Sequence, residues 1–224
     1  MSFSVAIDGP SGAGKSTLAK LLAKHYRFCY LDTGAMYRAI TLYLLRNEIE
    51  LKDEQKIKEA LCEISLTIRM IDAVQHIYLN GEDVSQEIRQ EHVGNATAGV
   101  AACPAVRTFL VKQQQDFAKD HDIIMDGRDI GTVVLPHADI KFFLTADPEV
   151  RAKRRYEELC LKGENANYET VLADVQARDA QDKNRTVSPL QKAQDAIEVD
   201  TSKMTQEKVF AFLCEQINQK RGHS

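Results

Sequence analysis

The sequence predicts an α/β fold: a mostly parallel, doubly wound sheet with helices on both faces. Three observations carry that expectation. Short apolar runs alternate with segments of helical periodicity along the whole chain. The first run leads directly into GPSGAGKST, Gly9 to Thr17, a glycine-rich turn between a strand and a helix. Residues 66 to 84 break the pattern, alternating polar and apolar positions around Asn80-Gly81, which predicts a small antiparallel insert.

Phe3, Val5 and Ile7 mark the first strand, and a helix is expected over 15 to 26 with Leu18, Leu21 and Leu22 at its apolar positions. Residues 28 to 31 form a short apolar run ending at Asp32, followed by helical patterns over 34 to 47 and 53 to 65. In the insert, Leu66, Ile68 and Met70 alternate with polar residues, and 74 to 79 is a second strand-like run before the Asn80-Gly81 turn. Helices are expected over 84 to 102 and, entered through Pro104, onward to 119. The runs at 122 to 125, 140 to 144 and 196 to 199 are short and apolar, as buried parallel strands are. Helices over 148 to 162, 168 to 183 and 205 to 220 complete the pattern, and ligands should gather at the carboxyl ends of the strands.

The stretch from Gly9 to Thr17 matches the phosphate-loop pattern Gly-x4-Gly-Lys-[Ser/Thr]. Pro10, Gly12 and Gly14 interrupt regular structure, so the backbone N–H groups of Ser11, Ala13 and their neighbours can converge on one anion. The following helix aims its positive end at the same point. Lys15 can place a charge on the outer phosphates of ATP, and the Ser16 hydroxyl can ligate the magnesium ion that bridges them.

Composition sets limits. Hydrophobic residues make up 44% and charged residues 28%, and no apolar stretch approaches the roughly 20 residues of a membrane span. The start of the chain lacks a secretory pattern, so a cytoplasmic location is expected. Five scattered cysteines without Cys-x-x-Cys spacing indicate neither zinc nor a disulfide framework. A net charge of -4 argues against general nucleic-acid binding. Any phosphate site must be a local cluster of arginines, and they recur at element ends: Arg38, Arg107, Arg128, and the run Arg151, Arg154, Arg155. On a helix Arg178, Asp182 and Arg185 would share one face. Any one of these could belong to a solvated face; the set points to phosphate.

DGPSGAGKST, LDTGAMYR at 31 to 38, DGRDIGT at 126 to 132, RAKRR at 151 to 155 and RDAQDKNR at 178 to 185 together resemble the bacterial-type cytidylate kinases, over nearly the whole chain. The resemblance implies transfer of the γ-phosphoryl of ATP, as its magnesium complex, to CMP or dCMP. It implies a single phosphate-loop kinase unit over 1–224, with a monophosphate-binding insert at about 34–110 and a helical lid at about 148–185. Arg38, Arg128 and Arg185 resemble the family's clamps on the monophosphate and the transferring group, beside Thr33 and Tyr37 of the same motif. Arg178 and Asp182 resemble the sugar-holding pair, Arg107 and Asp129 the readers of the cytosine edge, and Arg154 and Arg155 the lid arginines nearest the triphosphate. Asp126 is a candidate for the acidic residue behind magnesium, and equally for a turn or capping aspartate. Thr33 and Ala98 stand where serine is frequent; the hydrogen bond lost at Ala98 is either absent or supplied by Thr97. Beyond its nucleotides no partner is expected, neither nucleic acid nor membrane, and the chain is expected to be a monomer. A kinase for another small acceptor, such as a different monophosphate or shikimate, shares the loop and lid and remains the alternative. A GTPase would need an Asn-Lys-x-Asp guanine reader, a tetrapeptide the sequence lacks.

Overall fold

The computed structural model describes residues 2–71 and 74–222. In chain order the elements are β1 Ser4–Asp8, α1 Lys15–Tyr26, β2 Cys29–Asp32, α2 Thr33–Arg46 and α3 Glu54–Leu61, then the hairpin strands β3 Leu66–Ile71, β4 Val74–Leu79 and β5 Glu82–Asp83. They continue with α4 Glu91–Ala102, α5 Pro104–Ala118, β6 Ile123–Gly127, β7 Ile140–Thr145, α6 Pro148–Leu161, α7 Tyr168–Asn184, β8 Ile197–Asp200 and α8 Gln206–Gly222.

The main sheet has five strands in the order β2-β6-β1-β7-β8, and every pairing is parallel. Alternation along the central strands sends side chains to opposite faces. Ala6, Ile123 and Met125 pack with Met36, Ile40, Val106 and Leu110 of α2 and α5 on one side. Val5, Ile7 and Ile124 pack with Leu18 and Leu22 of α1 and Leu213 and Ile217 of α8 on the other. Crossovers on both faces leave the carboxyl ends of four adjacent strands, β2, β6, β1 and β7, along one edge.

The insert is a separate sheet in the order β3-β4-β5; residues 72 and 73, between its first two strands, fall outside the described residues. Asn80 and Gly81, at φ 49° and 88°, make the hairpin turn their sequence implies. The helix expected from 84 begins only at Glu91. The Asp83 carboxylate accepts from both the backbone N–H and the hydroxyl of Ser85 at 3.0 and 2.5 Å. Ser85 Oγ in turn accepts from Ile77 N at 2.9 Å. These side-chain bonds hold 83 to 85 against β4 and leave one short 3-10 turn, Glu87–Arg89, before the helix. The helix expected to reach 65 stops at Leu61, where Cys62 N tightens back onto Glu59 O and Asn80 Oδ1 takes up Ser65 N. The pair α6 and α7 packs on its own cluster of Ala152, Leu159, Val171 and Val175.

Candidate active site

The phosphate loop leaves β1 through Gly9 at φ 145°, where a Cβ would collide with the Leu144 carbonyl of β7. It enters α1 through Gly14 at φ 88°, a conformation that L side chains rarely adopt. Lys15 is buried, and its Nζ donates to Pro10 O at 2.7 Å. Burial first, and the nearby Arg128 second, hold its pKa down at about 7. Ser16 Oγ donates to Asp126 Oδ2 at 2.7 Å, and Tyr30 donates its hydroxyl to Asp126 Oδ1 at 2.7 Å. Thr17 faces outward on α1.

Asp126 lies inside β6, paired in register with Asp32 of β2, so it is neither a cap nor a turn residue. Burial and the neighbouring Asp32 raise its pKa. A buried carboxylate kept beside a hydroxyl at the foot of a phosphate loop is a hard-oxygen set of the kind magnesium takes.

On the other side of the cleft, Asp32 caps α2 by accepting from Ala35 N at 2.9 Å and holds Arg38 at 3.1 Å. Thr33 starts α2, and its buried hydroxyl donates to Asp126 O at 2.8 Å, which ties the helix to β6. Arg128 donates through Nε to Asp182 Oδ2 at 2.6 Å. Arg185 is not on the face of α7 as its spacing implied: it is the residue that ends the helix, at ψ 139°. That turn still brings Arg185 Nη1 within 3.8 Å of Asp182 Oδ1. Arg178 is exposed as a residue, yet desolvation of its guanidinium first and Arg128, Arg155 and Arg38 next lower its pKa, and Asp182 is the neighbour that opposes them. Arg107 and Asp129, both buried, form an ion pair with each other. Tyr37 packs its ring 5.6 Å from the Arg107 guanidinium. Among the described residues, Tyr37 Oη, Arg38 Nε and Arg185 Nη2 are buried without a hydrogen-bond partner. Between α4 and α7 lies a cavity of about 270 Å³ lined by Ala98, Gly99, Ala102, Asp182 and Arg185. Thr97, beside Ala98, donates its hydroxyl to Val93 O at 2.6 Å within its own helix, which leaves its oxygen able to accept.

Of the RAKRR arginines, the one that touches the phosphate loop is Arg151. It donates to Ser11 O at 3.2 Å and forms a bidentate pair with Asp179 of α7 at 2.9 and 2.5 Å. Arg154 turns to Thr201, at 2.8 Å from its carbonyl, and Arg155 pairs with Glu158 at 3.0 Å on the exposed side of α6.

The cytidylate kinase family model matches residues 5–219, the span that holds every one of these side chains. The chain belongs to the cytidylate kinase family. It is 50% identical to a cytidylate kinase of Caldanaerobacter subterraneus, over 95% of this chain and 93% of that one. It is 52% identical to one of Clostridium tetani, over 88% and 86% of the two chains. It is 45% identical to one of Bacillus subtilis, over 97% of each. A crystal structure of an uncharacterized protein from Eubacterium ventriosum shares the fold, with a TM-score of 0.52 and 14% identity over 96% of this chain and 98% of that one.

Within this cytidylate kinase family site, several working side chains escape a reading of motifs. Asp8 is buried at the end of β1 and accepts from Ile130 N and Gly131 N at 2.8 and 2.7 Å. Tyr30 orients Asp126, and Gln75 of the insert bonds both backbone groups of Asp32. Asp8 stands directly before Gly9, and that adjacency is the one signal the sequence offers for it.

Proposed function

We propose that this chain transfers the γ-phosphoryl group of ATP to CMP or dCMP, giving ADP and CDP or dCDP. One observation carries the reading beyond family membership. Arg128 lies near enough to Lys15, and Arg38, Arg128 and Arg155 near enough to Arg178, for each to make its neighbour's charge less favourable. Like charges held together in a folded protein call for an anion, and two phosphate-bearing substrates meeting end to end supply it.

The acceptor's phosphate oxygen attacks the γ-phosphorus in line, and the bond to the bridging oxygen of ADP breaks. No protein nucleophile is needed. Lys15 and the loop N–H groups hold the donor phosphates, while Arg38, Arg128 and Arg185 clamp the acceptor phosphate and the transferring group. Arg178 and Asp182 hold the sugar, and the Arg107–Asp129 pair reads the cytosine edge. Magnesium carried with ATP would neutralise phosphate charge, and Ser16 and Asp126 are the residues that would hold it. The chain acts as one unit, a monomer of the cytoplasm that takes neither nucleic acid nor membrane. The insert, at about 34–110, brings the acceptor, and α6 and α7, within a lid at about 148–185, exclude water and deliver Arg154 and Arg155.

A coupled ADP-release assay with CMP, dCMP, UMP, AMP, GMP and shikimate as acceptors tests the assignment. CMP and dCMP should exceed the others by about 100-fold in kcat/KM, because a carboxylate facing uracil leaves two acceptors unpaired. A comparable rate with shikimate or a purine monophosphate would overturn it.

A further inference from the structure

We propose that Asp8 is a positioning residue for the acceptor site, and that it fixes how far the acceptor-binding residues stand from the phosphate loop. The residue is 3% exposed. Oδ1 accepts from Ile130 N at 2.8 Å and Oδ2 from Gly131 N at 2.7 Å. These N–H groups open the single π turn Ile130–Val134. The opening N–H groups of a helical turn have no partner inside it, and a carboxylate supplies both at once through charge-assisted bonds. An amide offers a single acceptor oxygen.

The turn follows directly on the two residues that face the acceptor. Arg128 reaches Asp182 on one side and Asp129 reaches Arg107 on the other, while Val133 N and Val134 N close back on Asp129 O at 2.9 and 3.2 Å. Anchoring the turn therefore anchors both side chains. Asp8 touches neither; it acts through the backbone. It also immediately precedes Gly9, so the residue that holds this segment is continuous with the loop that holds the donor phosphates. Gly131 completes the contact from the far side. A Cβ there would lie 3.3 Å from Asp8 Oδ2 and 3.0 Å from Lys141 Cδ, so even one methyl group would press the turn away from β1.

The inference rests on the proposed roles of Arg128 and Asp129, and the test separates the two. Asp8→Asn, Gly131→Ala and their double variant, in the full chain, are compared with Asp129→Asn in steady-state kinetics with CMP and with UMP. ATP affinity is measured without acceptor. Asp8→Asn should raise KM for CMP about 10-fold and lower kcat to a similar degree. ATP affinity should stay within about 3-fold, because the phosphate loop keeps its own bonds. Gly131→Ala should give the same split, and the double variant should be no worse than the poorer single one, since both break one contact. An unchanged KM for CMP in both single variants, or a parallel loss of ATP affinity, would overturn the proposal. Should Asp8→Asn fail to fold, Gly131→Ala decides by the same split. If Asp129→Asn keeps the full CMP/UMP ratio while Asp8→Asn still raises KM for CMP, the base-reading role falls and the positioning role stands through Arg128.

Discussion

Lys15 occupies a place that is unfavourable for a cation until phosphate arrives, with burial and Arg128 holding its pKa at about 7. Lys15→Met should therefore keep or slightly raise the melting temperature while turnover falls at least about 100-fold. Thermal melts beside single-turnover rates check this, and a joint loss of stability and activity would give Lys15 to the fold instead. Asp8 makes a prediction in pH. Burial raises its pKa from 3.8 to about 6, against the opposing pull of the Gly131 and Ile130 N–H groups; Asp129 adds to the rise and Lys15 reduces it. An acid whose pKa is higher in the fold than in the unfolded chain favours folding in its neutral form. That contribution is full below about pH 4 and is lost as pH rises through about 6, by about 3 kcal/mol at most. Urea unfolding at pH 4 and pH 7.5 should show wild-type protein losing ground to Asp8→Asn over this interval. A gain would mean that the hydrogen bonds outweigh the burial. Neither residue was equally visible beforehand. Lys15 belongs to a contiguous pattern whose chemistry is local, whereas the partners of Asp8 lie 122 and 123 residues away.

At the scale of elements, Gln75 ties the insert to the main sheet by hydrogen bonds, beside the apolar packing of Ile77 and Leu79. β2 is an edge strand, and Gln75 of β4 treats it as a neighbouring strand would, accepting from Asp32 N at 2.6 Å and donating to Asp32 O at 3.2 Å. Asp32 in turn caps α2 and holds Arg38, so the position of the insert is transmitted to the residue proposed as a phosphate clamp. Gln75→Ala should raise KM for CMP by roughly 3- to 10-fold with KM for ATP unchanged and stability lower by about 1 kcal/mol. Kinetics with each substrate varied in turn decide it, and equal shifts in both KM values would detach Gln75 from the acceptor side. This tie was not legible in the sequence, although the strands that carry it were. Period-two alternation and Asn80-Gly81 specify a hairpin locally, but nothing in 74 to 79 says which edge its side chains will meet. The late start of α4 has the same origin. Composition around 84 to 90 suits a helix; the Asp83–Ser85 bonds that compete with it are local, but the bond from Ile77 N to Ser85 Oγ that locks them needs β4 in place. Arg185 shows the reverse case, in which the spacing brought it beside Asp182 although the helix ends before it.

Across the whole molecule, stability is distributed unevenly, and the distribution suits a site that must open and close. The central strands are buried between two large apolar clusters, one on each face. The hairpin of α6 and α7 has a cluster of four buried apolar residues of its own, and only Ala152 among them is fully buried. It is fastened to the core by polar bonds, Arg151 to Ser11 O, Arg154 to Thr201 O and Arg128 to Asp182, while Arg151 to Asp179 ties its two helices to each other. Few buried apolar contacts mean a low free energy for local opening. The inner side of the hairpin carries Asp182, which pairs with Arg128 and lies beside Arg185, and Arg178, whose charge Arg128, Arg155 and Arg38 disfavour. Hydrogen exchange should therefore be fastest in α7 among the long helices, while β1 and β6 exchange only with global unfolding. In the proposed site ATP alone would screen the phosphate loop and CMP alone would engage Asp182 and Arg185, so the hairpin would gain partners on both sides only with both bound. Protection of α7 should accordingly rise more with a non-hydrolysable ATP analogue and CMP together than the two separate increments predict. Mass-resolved exchange over 168 to 184 in the four ligation states measures this. Additive protection would mean that the two nucleotides bind independently and that the hairpin is a fixed wall of the site.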